Sequence, residues 1–414
     1  MRQETRYIVR RSFIFALLGL WIFAGVPGMA QGGHRSQHYF LTQGGDVVQV
    51  YTGALEENVT TSAGGPLTSG SGTPLTSYAI KGDTEYLYFI AAGQHVSEFY
   101  YSGSNWTYYD LTTETAGPLA ATSSALTSFY DGGHHVLYEG ANQHVYHLYY
   151  NTTLGYWVDD DNTSLAGGPL AATGSALTSY GVTGGSEYVY FIGSNQHVGQ
   201  LYYSGSKWAY YDLTAETGGA LAATSSSLTS FYDTFGHHVF YVGANQHVYQ
   251  LYYNPSVGHW VDNDNTALAG ASPAVSGTGL TSFSDKADYY YGAGGEHLFY
   301  VSLETNGGDC YGGQPCLFVT ELLYNGSSWI SESIGLGDPP PLTASAITSL
   351  PGYDDGSGDG IDFEQVVLLE TPGTCGTDNL EILEYIPGDE PPWFWGGCNT
   401  AVSATASLTS FIDP

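Results

Sequence analysis

The stretch ALTSFYDGGHHVLYEGANQHVYHLYY, Ala125 to Tyr150, returns almost letter for letter as SLTSFYDTFGHHVFYVGANQHVYQLYY, Ser227 to Tyr253. Its opening, Leu/Ile-Thr-Ser, marks every copy. It stands at Leu75, Leu126, Leu177, Leu228, Leu280, Ile347 and Leu408, so the first four steps are 51 or 52 residues and the last two are 67 and 61. A self-similar period of this length marks a repeat architecture, in which each unit buries its apolar face only against its neighbours. The copies also alternate. Glu85-Tyr86 and Glu187-Tyr188 stand where the intervening units carry His134-His135 and His237-His238, which implies duplication of a two-unit block.

Each unit carries four short segments rich in Tyr, Val, Phe and Trp, punctuated by Gly and Asn, and none shows helical periodicity. In the unit at Leu126 the strands read Leu126 to Tyr130, His135 to Tyr138, His144 to Tyr150 and Tyr156 to Asp160. Gly140-Ala141-Asn142-Gln143 supplies the turn before the third. About 50 residues with four strands is a propeller blade; solenoids use shorter repeats, and a sandwich does not repeat its sequence. The fold class is therefore all-β, a β-propeller of four-stranded antiparallel blades. Leu408 opens a unit with no continuation before Pro414, and residues 38–61 read as the last three strands of a unit lacking its first. Joining them predicts seven blades: 75–125, 126–176, 177–227, 228–279, 280–346, 347–407, and a composite of 408–414 with 37–74. Pairing the C-terminal strand with the N-terminal strands closes the ring and removes its open edges.

The charge balance narrows the partners. There are 40 Asp and Glu against 8 Lys and Arg, a formal net charge of −32. Such a surface repels phosphate backbones and anionic lipid heads, which excludes nucleic-acid and membrane-surface binding. Four of the eight cations, Arg2, Arg6, Arg10 and Arg11, precede an apolar run from Phe13 to Val26, and Gly28-Met29-Ala30 then offers a small-residue cleavage site. Residues 1–30 read as a signal peptide, and 31–414 as a single secreted or periplasmic propeller domain. A single-pass anchor needs a longer run, about 20 residues. Arg10-Arg11 loosely resembles a twin-arginine signal. The acid excess also fits an acidic habitat, where carboxylates with pKa near 4 are partly protonated.

Export and an even cysteine count imply disulfides, with Cys310–Cys316 and Cys375–Cys398 as the favoured pairing. Zinc is the rival, but these separations fit no usual ligand spacing. No Gly-x-Ser-x-Gly elbow, His-Glu-x-x-His or phosphate loop occurs, so no catalytic residue, resident metal or cofactor is assigned. Asp159-Asp160-Asp161 and Asp354-Asp355 read as solvated turns. The acidic, Gly-rich run from Asp354 to Gly360 departs from a calcium-loop spacing, which leaves calcium without support.

What repeats is aromatic and polar. A tryptophan opens the fourth strand at Trp106, Trp157, Trp208, Trp260 and Trp329, and four residues later stand Asp110, Asp161, Asp212 and Asp264 in the first four units. Three units open the third strand with Asn-Gln-His: Asn142, Gln143, His144; Asn195, Gln196, His197; and Asn245, Gln246, His247. His144 falls opposite Asp161 to Thr163, so these polar groups gather at one end of the hairpin and the tryptophans at the other. Two readings stand for each. The tryptophans pack between blades or stack on a sugar; the His and Asp groups tie the backbone or bond hydroxyls. Adjacent His134 and His135 point to opposite faces and make a poor metal pair.

The pattern GANQHVYQLYY, HWVDNDNTALAG and LTSF resembles repeats of bacterial seven-bladed β-propeller lectins, strongly through Ala271 and loosely to 414. The resemblance implies binding of fucose or methylated sugars in pockets between blades, built from Trp, Tyr and small polar groups. It places those pockets at Trp106, Trp157, Trp208 and Trp260, and less closely at Trp329. The arginine-plus-glutamate sugar clamp of fungal six-bladed fucose lectins has no counterpart here, and the composite blade, with Asp46 at the His position and no Trp, departs from the pattern. The expected partner is a glycan bound at several weak sites. A protein-interaction scaffold is the alternative, and a glycan hydrolase or lyase a further one.

Overall fold

A computed structural model describes residues 36–42, 44–51, 56–70, 72–80, 84–182, 184–284, 295–304, 316–334, 347–354, 362–370, 379–385, 393–399 and 404–412; from residue 350 onward it is the backbone that is described. The chain is an all-β propeller of four-stranded antiparallel blades, and among the described residues the strands form seven such sheets. In blade 2 they run Leu126–Tyr130, His134–Glu139, Val145–Asn151 and Tyr156–Asp161, within a residue of the segments read from sequence. Blades 1, 3, 4, 5 and 6 begin with Leu75–Ile80, Leu177–Val182, Leu228–Tyr232, Leu280–Ser284 and Ile347–Asp354. The remaining sheet pairs Ala404–Ile412 with Ser36–Thr42, followed by Val47–Tyr51 and Glu56–Asn58. The seven first strands neighbour one another in a closed ring, with Ala404–Ile412 touching both Leu75–Ile80 and Ile347–Asp354. The candidate signal peptide lies outside the described residues, and so do Cys310, Cys375 and residues 355–361.

The core lies between sheets. Second strands are apolar on both faces, as Leu87, Tyr88, Phe89 and Ile90 show, because a neighbouring blade covers each side. The outer fourth strands are mostly half-buried or exposed, with the tryptophan as their most buried side chain in blades 1, 2 and 4. Hydroxyl pairs stitch first strands to their neighbours: Thr76 to Ser128 at 2.8 Å, Thr127 to Ser179 at 3.0 Å, and Thr178 to Ser230 at 2.8 Å.

Three sequence readings need correction. The chain does have helices: Val59–Ala63 (α1), Leu111–Thr115 (α2), Asn162–Ala166 (α3), Leu213–Thr217 (α4) and Asn265–Ala269 (α5). Each is five residues long, too short for a 3.6-residue period to register. Asp159 to Asp161 end the fourth strand of blade 2 instead of forming a solvated turn, because Asp161 caps α3. Cys398, which the sequence reading sets just after the fourth strand of blade 6, lies within that strand, Trp393–Asn399, opposite Glu381.

Candidate functional site at the blade seams

The repeated polar set is placed by the hairpin between second and third strands. The glutamines take the left-handed conformation that closes this turn, with φ of 69° at Gln94, 66° at Gln143, 65° at Gln196 and 67° at Gln246. Their carbonyls accept from the linker to the next blade, through Ala120, Ala171, Ala222 and Ala274 at 2.8–3.0 Å. Asn142 Oδ1 accepts from the His144 amide at 3.2 Å, while its Nδ2 donates to Tyr146 at 2.9 Å; Asn245 repeats both bonds. Nδ1 of His95, His144, His197 and His247 meets Asp110, Asp161, Asp212 and Asp264 at 2.7–2.8 Å. Those aspartates are also helix N-caps, accepting from the backbone of Thr113, Ser164, Ala215 and Ala267 at 2.9 Å. The polar set therefore has a complete set of structural duties, while its rings stay partly exposed.

The tryptophans are elsewhere. Trp157 pairs with Tyr150 at one end of the third–fourth hairpin and Asp161 with Tyr146 at the other, about 13 Å apart at strand rise. Trp106, Trp157, Trp260 and Trp329 are buried, each edge-on to a ring of the preceding blade: Tyr39, Tyr88, Tyr190 and Phe240, at 6.1–6.3 Å. Blade 2 has Leu137 where its neighbours carry that ring. Trp208 meets His147 there at 5.8 Å and is less buried than the other four. The structure thus keeps the two predicted sets apart.

What the seams do share went unread in the sequence. Among the described side chains, each third strand turns one polar group into the apolar seam: Gln49, Glu98, His147, Gln200, Gln250 and Glu321, none more than 4% exposed. Buried polar groups require partners, and the partners alternate. At the seam between the closing sheet and blade 1, the Gln49 amide donates to Glu85 at 3.0 Å. Between blades 4 and 5, the Gln250 amide nitrogen lies 2.8 Å from Glu296 and 2.9 Å from Nδ1 of His238, whose Nε2 meets Asp233 at 3.1 Å. Between blades 2 and 3, His147 takes the glutamine's place beside His135 and Glu187. The seams between blades 1 and 2 and between blades 3 and 4 are aromatic, whereas Glu321 of blade 5 pairs with His297 at 2.7 Å. Tyr78 meets His134 at 2.8 Å and Tyr88 at 2.9 Å, and Tyr180 repeats this with His237 and Tyr190. Burial pushes His134 and His237 down to about 4 and Glu98 up to about 8.

One polar seam opens into a cleft of about 430 Å³ between blades 4 and 5. Gln250, Asn263 and Glu296 line it with amides and a carboxylate; Phe235, Tyr252, Tyr324 and Trp329 line it with rings. Asn263 donates to Gln250 at 3.4 Å, leaving hydrogen-bonding capacity toward the cleft.

No protein-family model and no curated protein matches the chain. Solved structures do. The BP39L lectin of Burkholderia pseudomallei superposes with a TM-score of 0.55 at 13% identity, over 81% of this chain and 88% of that one. AofleA of Arthrobotrys oligospora gives 0.52 at 14%, over 83% and 90%. A fucose-specific lectin of Aleuria aurantia gives 0.48 at 15%, over 79% and 95%. At such identities the likeness is one of fold.

Proposed function

We propose that the chain is an exported, non-enzymatic lectin that binds neutral sugars, fucose or its methylated relatives among them, in clefts between the blades of a seven-bladed ring. The cleft between blades 4 and 5 carries this reading. Rings there offer apolar faces to a pyranose, amides and a carboxylate offer bonds to its hydroxyls, and nothing in it requires a cation. The repeat motifs resemble those of propeller lectins, and BP39L, a lectin by its own description, shares the fold. Repetition of the seam around a ring would turn weak single sites into avidity on a glycan-coated surface.

The experiment is a glycan array followed by titration of Asn263→Ala and Tyr252→Ala. Each should weaken binding about 10-fold or more, by loss of a hydrogen bond or an apolar contact. Trp157→Ala, within a packed seam, should lower stability without a matching loss at the blade 4–5 cleft. An array without a single bound glycan, or unchanged affinity in both cleft variants, would rule the reading out. A protein-docking scaffold is the second reading. It is favoured by Leu67, Leu119, Leu170 and Leu221, which stand 42–47% exposed at equivalent places in successive linkers. It predicts a partner in pull-downs that monosaccharides do not displace.

A further inference from the structure

We propose that His135, His147 and Glu187 hold one divalent transition-metal ion of zinc-like chemistry at the seam between blades 2 and 3. Each residue supplies one donor atom, and these atoms lie within 4.8 Å of one another. Glu187 Oε2 is 3.7 Å from Nδ1 of His135 and 3.7 Å from Nδ1 of His147, while Nε2 of His147 is hydrogen-bonded to Nδ1 of His135 at 2.9 Å, a bond that a metal on His135 would replace. Tetrahedral zinc with bonds of 2.0–2.1 Å spaces its donors by about 3.3 Å, so small side-chain shifts complete the site.

Three observations point to a cation there. Asp131 lies 3.1 Å from Nε2 of His135. It accepts a hydrogen bond from that N–H and leaves Nδ1 as the lone-pair nitrogen, which here accepts from Nε2 of His147 at 2.9 Å and so fixes Nδ1 of His147 as an acceptor too; a carboxylate behind an imidazole in this way is common behind zinc ligands. Second, His147 Nδ1 and Glu187 Oε2 are buried without a hydrogen-bond partner, in residues only 2% and 7% exposed. Two acceptors face each other with no donor between them, an arrangement that a cation resolves.

The third observation is internal to the repeat. Where Gln250 stands in place of His147, its amide nitrogen lies 2.9 Å from His238 and 2.8 Å from Glu296, which themselves stand 3.2 Å apart, so both acceptors there have a partner. Gln49 likewise supplies a donor to Glu85. Only blade 2, among the described residues, puts a histidine at this position beside a glutamate of the next blade. With three protein ligands, a fourth position remains for water or another oxygen ligand.

The test uses the full chain after chelator treatment, titrated with Co(II) and with Zn(II). One equivalent should bind, Co(II) giving the visible bands of a four-coordinate ion and Zn(II) raising the thermal midpoint. His147→Gln copies the seam between blades 4 and 5 and so should fold, and it should abolish both signals. Asp131→Asn should weaken binding about 10–100-fold. Gln250→His should add a second equivalent. Failure of the native chain to bind either metal, or an equivalent retained by His147→Gln, would overturn the proposal. The second result would assign the ion elsewhere, to Asp233, His238 and Glu296 or to the surface His–Asp pairs. None of these outcomes depends on sugar binding.

Discussion

Glu98 and Gln200 occupy the same place in blades 1 and 3, and the difference between them is a titratable proton. Gln200 donates to Tyr190 at 3.1 Å. Glu98, beside Tyr88, is pushed up to about 8 by burial, which outweighs the Tyr88 hydroxyl that favours its anion. A carboxyl raised in the folded state adds stability that is complete below its unfolded value of about 4.5 and is lost as pH rises through about 8. Glu98→Gln, an isostere of the neutral form, should lie within about 1 kcal/mol of the native chain at pH 5 and exceed it at pH 9 by about 3–5 kcal/mol in urea unfolding. Equal stability at both pH values would show that Glu98 is ionised at little cost. This ring of polar seam residues was the part of the site hardest to read in advance. Each is a single polar letter in an apolar strand, and the groups that explain it come from another repeat, 40 residues away for His147 and Glu187. The turn residues were legible because they recur; their duties were not, since Asp161 serves a helix cap and His144 at once.

Among the elements, the strands were legible because β-branched and aromatic runs alternate with Gly and Asn at fixed offsets. The five short helices were not, yet their caps are visible in retrospect as an Asp or Asn followed three residues on by the amide it binds. Their far ends hold a testable irregularity. Gly64, Gly167, Gly218 and Gly270 end α1, α3, α4 and α5 in the left-handed conformation, whereas α2 ends with Ala116 at φ 55°. A Cβ is strained there, and glycine is the residue other blades use. Ala116→Gly should therefore raise stability by about 0.5–1 kcal/mol, read as a higher urea midpoint with an unchanged slope. A lower midpoint would mean that the added freedom of the unfolded chain exceeds the strain relieved.

At the scale of the whole molecule, the charge and the seams bear on the same question, the pH at which the ring is most stable. Burial pushes Glu98 up to about 8, Glu139 to about 7 and Asp159 to about 6. All three favour the fold more as pH falls, with the gain complete near pH 4. Opposing them, His134 and His237 are held down at about 4, so their contribution is whole above 6.5 and is lost as pH falls through 4. Asp110, Asp131 and Asp161 lie below their ordinary value: hydrogen bonds to the carboxylate, with the neighbouring histidine, win over burial at Asp110 and Asp161, and the His135 bond leads at Asp131. Their contribution is lost below about 4. The two sets cross on the acid side of neutrality. Self-repulsion of a chain carrying −32 at pH 7 adds to the loss at higher pH. Thermal midpoints of chelator-treated protein should peak near about pH 5–6 and fall by pH 8, with a second, steeper fall below about pH 4. High salt should flatten the alkaline limb where it arises from exposed charge and leave the part that comes from Glu98. A midpoint that climbs steadily to pH 8 would contradict the argument, because the buried carboxylates would then have to be ionised within the seams without cost.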